Sequence, residues 1–177
     1  GLHNMLYAYS PGGPLVDEAD YLSRYPGDAF IDVIGFDMYH RDPAKEDMWM
    51  EGFAQTMQVV ADFAKKRDKV AAVTECGMLY GNSALLVKGN TRLDWWNEAM
   101  ARIAPQDMAY FLTWSNFDDT NFDQPYMVEK KRGQELINGF TDFYNKPESV
   151  FIKDSADFTT ASVTAAAAKE GYGYLLA

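Results

Sequence analysis

Four short apolar runs, each followed by a helix-like stretch, constrain this chain more than any other feature. The runs are Asn4–Pro11, Ile31–Tyr39, Val70–Glu75 and Ala109–Trp114. The stretches after them are Asp17–Tyr25, Asp47–Arg67, Arg92–Ile103 and Gly133–Tyr144. The second is the clearest helix: Trp49, Phe53, Met57, Val60 and Ala64 fall on one face of a 3.6-residue repeat. In the third, Leu93, Trp96, Met100 and Ile103 form a comparable stripe. Strands separated by helices pair in parallel. Two α/β architectures are open: an open doubly wound sheet, and half of a (β/α)8 barrel. No Gly-rich phosphate fingerprint stands at any strand–helix junction, which favours the half-barrel.

The chain has 177 residues, enough for one domain with its own core. Its formal net charge of −10 argues against nucleic acid and anionic membrane as partners, since both select basic surfaces. The single cysteine, Cys76, excludes an internal disulfide and a cysteine-based zinc cage. No apolar stretch approaches the roughly 20 residues of a membrane-spanning segment. The chain opens Gly1-Leu2-His3-Asn4 and enters an apolar run almost at once, as the middle of a domain would. The lack of a signal peptide therefore carries no information about secretion. Beyond Asp154 the pattern weakens. Ala161–Lys169 has high helix propensity but no apolar face, so residues 159–177 are expected to be a terminal helix or a poorly ordered tail.

The chemistry collects at the ends of the strand-like runs. Val70-Ala71-Ala72-Val73-Thr74-Glu75-Cys76-Gly77 reads as a buried strand with a carboxylate at its C-terminal tip, closed by a glycine turn. Barrel enzymes present catalytic carboxylates in this way. Alternate strand residues share a face. By that parity Val73 and Ala71 lie on the face of Glu75, and Gly35 and Val33 on the face of Asp37 and Tyr39. Leu112 and Tyr110 likewise go with Trp114, and Tyr7 with Tyr9. Tyr9, Tyr39, Glu75 and Trp114 are then expected to gather at one rim, with Asp37 one layer below. A carboxylate with a phenol and aromatic walls suits a sugar ring better than a phosphate or a hydride carrier. Glu75, Asp37, Tyr39 and Trp114 each also have a plainer reading: Glu75 as a cap or a surface-turn residue, Asp37 as an acceptor for buried N–H groups, Tyr39 and Trp114 as core.

Other polar features carry less. Asp119-Thr120-Asn121-Phe122-Asp123 alternates oxygen ligands, but Gln124 and Lys130 stand where a calcium loop needs Gly and Glu, so a solvated loop is expected and no metal. His40 is expected to be an exposed loop residue, with a place at the rim after Tyr39 as the alternative. Glu18, Glu46 and Glu51 begin helices, where the helix dipole accounts for them.

A set of motifs taken together resembles glycoside hydrolase family 26. They are Leu6-Tyr7-Ala8-Tyr9-Ser10-Pro11, Tyr25-Pro26-Gly27-Asp28, Asp32-Val33-Ile34-Gly35-Phe36-Asp37-Met38-Tyr39, Thr74-Glu75-Cys76-Gly77, Trp114-Ser115-Asn116 and Pro147-Glu148-Ser149-Val150-Phe151. That family consists chiefly of endo-β-1,4-mannanases on a (β/α)8 barrel. The resemblance implies an α/β chain holding strands 5–8, the C-terminal half of the barrel, within residues 1–158. It implies Glu75 as catalytic nucleophile, Tyr39 as its hydrogen-bonding neighbour and Trp114 as the floor beneath the reacting sugar. Asp37 is implied as a structural or orienting acid, and Tyr9 as an aromatic near the strand-5 tip.

The implied reaction needs no cofactor and acts on β-mannan or manno-oligosaccharides. The related alternatives are a mixed-linkage glucanase, a β-1,3-xylanase or a non-catalytic glycan-binding fragment; a different barrel with Glu75 as general base is a third class. A secreted or cell-surface bacterial location is implied. Two departures stand out. Many members have Arg after the strand-8 Trp, where this chain has Ser115. The family's acid/base Glu, in a His-Glu motif at the strand-4 tip, has no counterpart here, so the N-terminal barrel half is the implied partner. The chain alone is expected to be inactive, and its open sheet edges to drive association.

Overall fold

A computed structural model describes residues 4–41, 43, 48–80, 85–119, 122–151 and 174–176. Four parallel strands form the central sheet in chain order: β1 (Ala8–Tyr9), β2 (Val33–Arg41), β3 (Val70–Leu79) and β4 (Phe111–Thr113). A helix follows each: α1 (Glu18–Leu22), α2 (Trp49–Lys65), α3 (Trp95–Ile103) and α4 (Ile137–Tyr144). This is four βα units in succession, as the alternation of apolar runs predicts.

The helices bury one face of the sheet. The α2 stripe Trp49, Phe53, Met57, Val60 and Ala64 is buried throughout. Phe53 packs on Phe36 of β2 at 5.8 Å between ring centroids, and Trp96 of α3 on Phe111 of β4 at 6.2 Å. Ile34, Phe36, Met38 and His40 therefore point to the helices, and Val33, Gly35, Asp37, Tyr39 and Arg41 to the opposite face. His40 is fully buried rather than an exposed loop residue. Its ring stacks on Trp49 at 4.7 Å, and its Nδ1 accepts a hydrogen bond from Trp95 Nε1–H at 3.1 Å. Indole donates only, so Nδ1 carries no proton here. The reason is that β2 continues two residues past Tyr39, which carries His40 inward.

The parity expected for β3 does not hold. Pairing runs Val33↔Val70, Gly35↔Ala72, then slips between Phe36 and Asp37 to give Asp37↔Glu75 and Tyr39↔Gly77. Thr74 is the extra residue of a β-bulge, so Glu75 shares its face with Ala72 and Val70, not with Val73 and Ala71. Thr74 Oγ1 donates to Phe36 O at 2.8 Å and pairs with Ser10 Oγ at 2.5 Å. Gly35 makes the room: a Cβ there would sit 2.3 Å from Thr74 Cγ2. The expected glycine turn at Gly77 is also absent, because β3 runs on to Leu79. Gly77 instead lets the Tyr39 ring lie flat beside it, since a Cβ would sit 3.1 Å from Tyr39 Cε1.

Three further differences are local. Helix α3 begins at Trp95, after Asp94 at its N-cap, and Leu93 is left exposed. Around Asp119–Asp123, expected as a solvated loop, the chain forms an antiparallel pair of β5 (Phe117–Asp119) and β6 (Phe122–Gln124). Beyond α4, β7 (Ser149–Phe151) pairs in parallel with β8 (Tyr174–Leu176). Residues 159–173, most of the segment expected to be a terminal helix or a poorly ordered tail, lie outside the described residues. Just before β1, Met5, Leu6 and Tyr7 are exposed apolar side chains, as is Phe30 shortly before β2. Glu18 pairs with Lys66 at 2.5 Å and Arg67 at 3.2 Å, which with the helix start accounts for it.

Buried phenols give the fold an alkaline weakness. Burial holds the Tyr21 and Tyr39 hydroxyls protonated well above the usual tyrosine range and, with the Asp28 hydrogen bond, pushes Tyr25 up to about 12. Unfolded phenols release their protons near pH ~10, so above that the native state holds more protons and stability falls as pH rises. The thermal midpoint is therefore expected to hold between pH 7 and 9 and to drop steadily above about 10. A flat midpoint through pH 11 would contradict this.

Candidate active site

The open face of the sheet carries the candidate site at the C-terminal ends of β2, β3 and β4. Tyr39, Arg41, Glu75, Leu79, Trp114 and Tyr126 line a cavity of about 160 Å³. The bulge at Thr74 aims Glu75 onto this face, and the register Tyr39↔Gly77 lays the phenol across its neighbour. The Tyr39 hydroxyl donates to Glu75 Oε1 at 2.6 Å. Both residues are half-buried. Burial, then the Glu75 bond itself, keeps the Tyr39 proton in place far above neutral pH. The phenol is thus a permanent donor to the carboxylate, a short charge-assisted bond. Trp114 is 41% exposed, far more than the core tryptophans, and offers its indole to the same space.

Three of the expected site residues therefore meet: Tyr39, Glu75 and Trp114. Asp37 is beside Glu75 in register but does not line the cavity. Its N–H donates to Pro11 O at 3.0 Å, its C=O accepts from Gly13 N–H at 2.7 Å, and a Cβ on Gly12 would lie 3.2 Å from its Oδ1. Burial raises its carboxyl pKa. Asp37 thus holds the Pro11–Gly13 segment against β2. Tyr9 is not brought to the rim. It pairs with Ile34, a helix-facing residue, and stacks edge-on against Tyr21 at 5.2 Å and Tyr25 at 5.5 Å. The two-residue period placed it relative to Tyr7 but not relative to the other strands. Among the described residues no group of three His, Cys, Asp or Glu is placed to hold a metal ion. No described helix is long and apolar enough to cross a membrane.

Arg41, Leu79 and Tyr126 were not anticipated. Arg41 and Leu79 lie on strand ends that run two and four residues past the expected tips, and no turn residue at Gly77 or His40 stops them. Tyr126 comes from beyond the β5–β6 hairpin, which single-sequence periodicity does not register.

Comparison with known proteins places these features. Residues 1–134 match Glycosyl hydrolase family 26. A mannan endo-1,4-beta-mannosidase of Bifidobacterium adolescentis is 34% identical over 173 residues, 93% of this chain and 17% of that protein. The catalytic domain of the Bacillus sp. JAMB-750 GH26 endo-beta-1,4-mannanase superposes with a TM-score of 0.73 at 30% identity, over 87% of this chain and 41% of that one. A Cellulomonas fimi endo-beta-1,4-mannanase double mutant superposes with a TM-score of 0.74 at 27% identity, over 98% of this chain and 35% of that one. The chain thus spans well under half the length of the relatives it matches. Its four βα units form part of an α/β barrel of the (β/α)8 type, and the chain belongs to glycosyl hydrolase family 26.

Proposed function

We propose that this chain supplies the nucleophile half of a retaining endo-β-1,4-mannanase site. The observation that carries the reading is the 2.6 Å bond from Tyr39 to Glu75 in a cavity shared with Trp114. In a retaining glycosidase two carboxyl groups about 5–5.5 Å apart flank the glycosidic bond. Tyr39 occupies Glu75 Oε1 and leaves Oε2 to attack the anomeric carbon. The bond to the leaving oxygen breaks as that oxygen takes a proton from the second carboxyl group, giving a glycosyl ester on Glu75. Water, deprotonated by the same second group, then releases the sugar with retained configuration. Trp114 stacks on the sugar and excludes water from the ester.

The second carboxyl group belongs, in this reading, to the N-terminal barrel half, which pairs with the exposed side of β1. Residues 1–158 are the barrel portion and 159–177 a terminal segment. A polymeric mannan substrate places the work outside the cell, at the surface or secreted. The test is complementation. The chain alone should leave mannohexaose intact, and the chain assembled with a family 26 N-terminal half should hydrolyse it. Hydrolysis by the chain alone would overturn the placement of the acid/base. An assembled barrel that binds mannan without turnover would make this a glycan-binding module instead.

A further inference from the structure

Tyr126 lines the same cavity as Glu75 and Trp114 but sits on no sheet strand, so something else must hold it in place. The segment Pro125–Met127 is tied on both sides. Leu85 N–H donates to Pro125 O at 2.9 Å. The Asn116 side-chain amide grips the Met127 main chain twice: Met127 N–H donates to Asn116 Oδ1 at 2.6 Å, and Asn116 Nδ2 donates to Met127 O at 3.3 Å. One planar amide thus copies a strand-to-strand bridge where the hairpin rejoins the barrel. The Tyr126 ring then stands edge-on between Phe117 and Tyr39, at 6.2 Å from each, with interplanar angles of 72° and 66°. It is half-buried and stays outside the hydrophobic core.

A loop tyrosine held this firmly, and not for the sake of the core, has its function in the cavity. We propose that Tyr126 is a sugar-contacting wall of the site and that Asn116 is the residue that positions it. The ligand class is one pyranose ring of a neutral β-glycan, with the Tyr126 ring presenting an apolar surface to the C–H groups of the sugar and its hydroxyl facing the rim. The proposal rests on the glycan-cleaving reading above.

The test is steady-state kinetics on mannohexaose with the assembled barrel. Tyr126→Ala and Tyr126→Leu should each raise KM about tenfold with a smaller change in kcat, the mark of lost ground-state contact. Tyr126→Phe, which keeps the ring, should stay within about twofold. Asn116→Ala should raise KM about three- to fivefold, and combining it with Tyr126→Leu should add little, because both changes remove one contact. The Leu variant, which leaves a smaller gap than Ala, decides the matter if the Ala variant does not fold. An unchanged KM in Tyr126→Leu, with normal wild-type turnover, would overturn the wall alone and leave the functional reading standing. Fully additive effects would overturn the role of Asn116. No turnover by the wild-type barrel would overturn the functional reading and this proposal with it.

Discussion

Glu75→Gln in the assembled barrel should lower kcat on mannohexaose by about 10³-fold or more, with the fold intact. The substitution is nearly isosteric. Its amide oxygen still accepts from the Tyr39 hydroxyl, which sits 2.6 Å from Oε1 in the native site. What is lost, on the proposed mechanism, is the oxygen nucleophile, since an amide does not form the glycosyl ester. Melting temperature should therefore move little while turnover collapses. Tyr39→Phe provides the graded comparison. It keeps the nucleophile and removes one charge-assisted hydrogen bond, a contribution of about 1.5–3 kcal/mol, so kcat should fall by roughly 10- to 100-fold. KM should change less than kcat, because the bond is made to the reacting carboxylate rather than to the sugar. Glu75→Gln retaining a tenth of wild-type kcat would remove Glu75 from the nucleophile role.

The contrast between these two residues and Tyr9 explains how much of the site was legible. Tyr39, Glu75 and Trp114 are each recognisable because a strand-like run ends near them and a parallel βα array brings strand ends together. Tyr9 also ends such a run, yet its side chain goes to the aromatic cluster with Tyr21, Tyr25 and Phe63. Period-2 alternation fixes which residues of one strand share a face. It does not fix which face is the core, and that depends on register with neighbours. The same limit applied within β3. Alternation grouped Glu75 with Val73, and the Thr74 bulge regrouped it with Ala72. Glu75 reaches the cavity because of that bulge, and nothing in period-2 counting signals it. The helices were easier. Apolar side chains at i, i+4, i+8 and i+11 of α2 leave one possible buried stripe, and the structure buries that stripe. Asn116 lay within a motif quoted for its tryptophan, but its partner Met127 is 11 residues away across a hairpin.

The bulge also makes Gly35 the residue on which fold and site depend together. A Cβ there would lie 2.3 Å from Thr74 Cγ2, 2.8 Å from Oγ1 and 3.1 Å from its Cβ. Thr74 has nowhere to retreat, because Oγ1 is engaged with Phe36 O and Ser10 Oγ. Gly35→Ala should therefore destabilise the chain by about 3 kcal/mol, at the upper end of overpacking costs, read as a lower denaturant midpoint at unchanged slope. Relief must come from moving the bulge, and the bulge is what aims Glu75. Gly35→Ala should then lower kcat of the assembled barrel even at temperatures where it remains folded. Thr74→Ser isolates the cause: it removes Cγ2, the nearest atom, and keeps Oγ1 with its two partners. In that background Gly35→Ala should cost about 1 kcal/mol less, a coupling that two independent sites would not show. A Gly35→Ala midpoint within error of wild type, or an equal cost in both backgrounds, would mean that the Thr74 side chain does not set the register that presents Glu75.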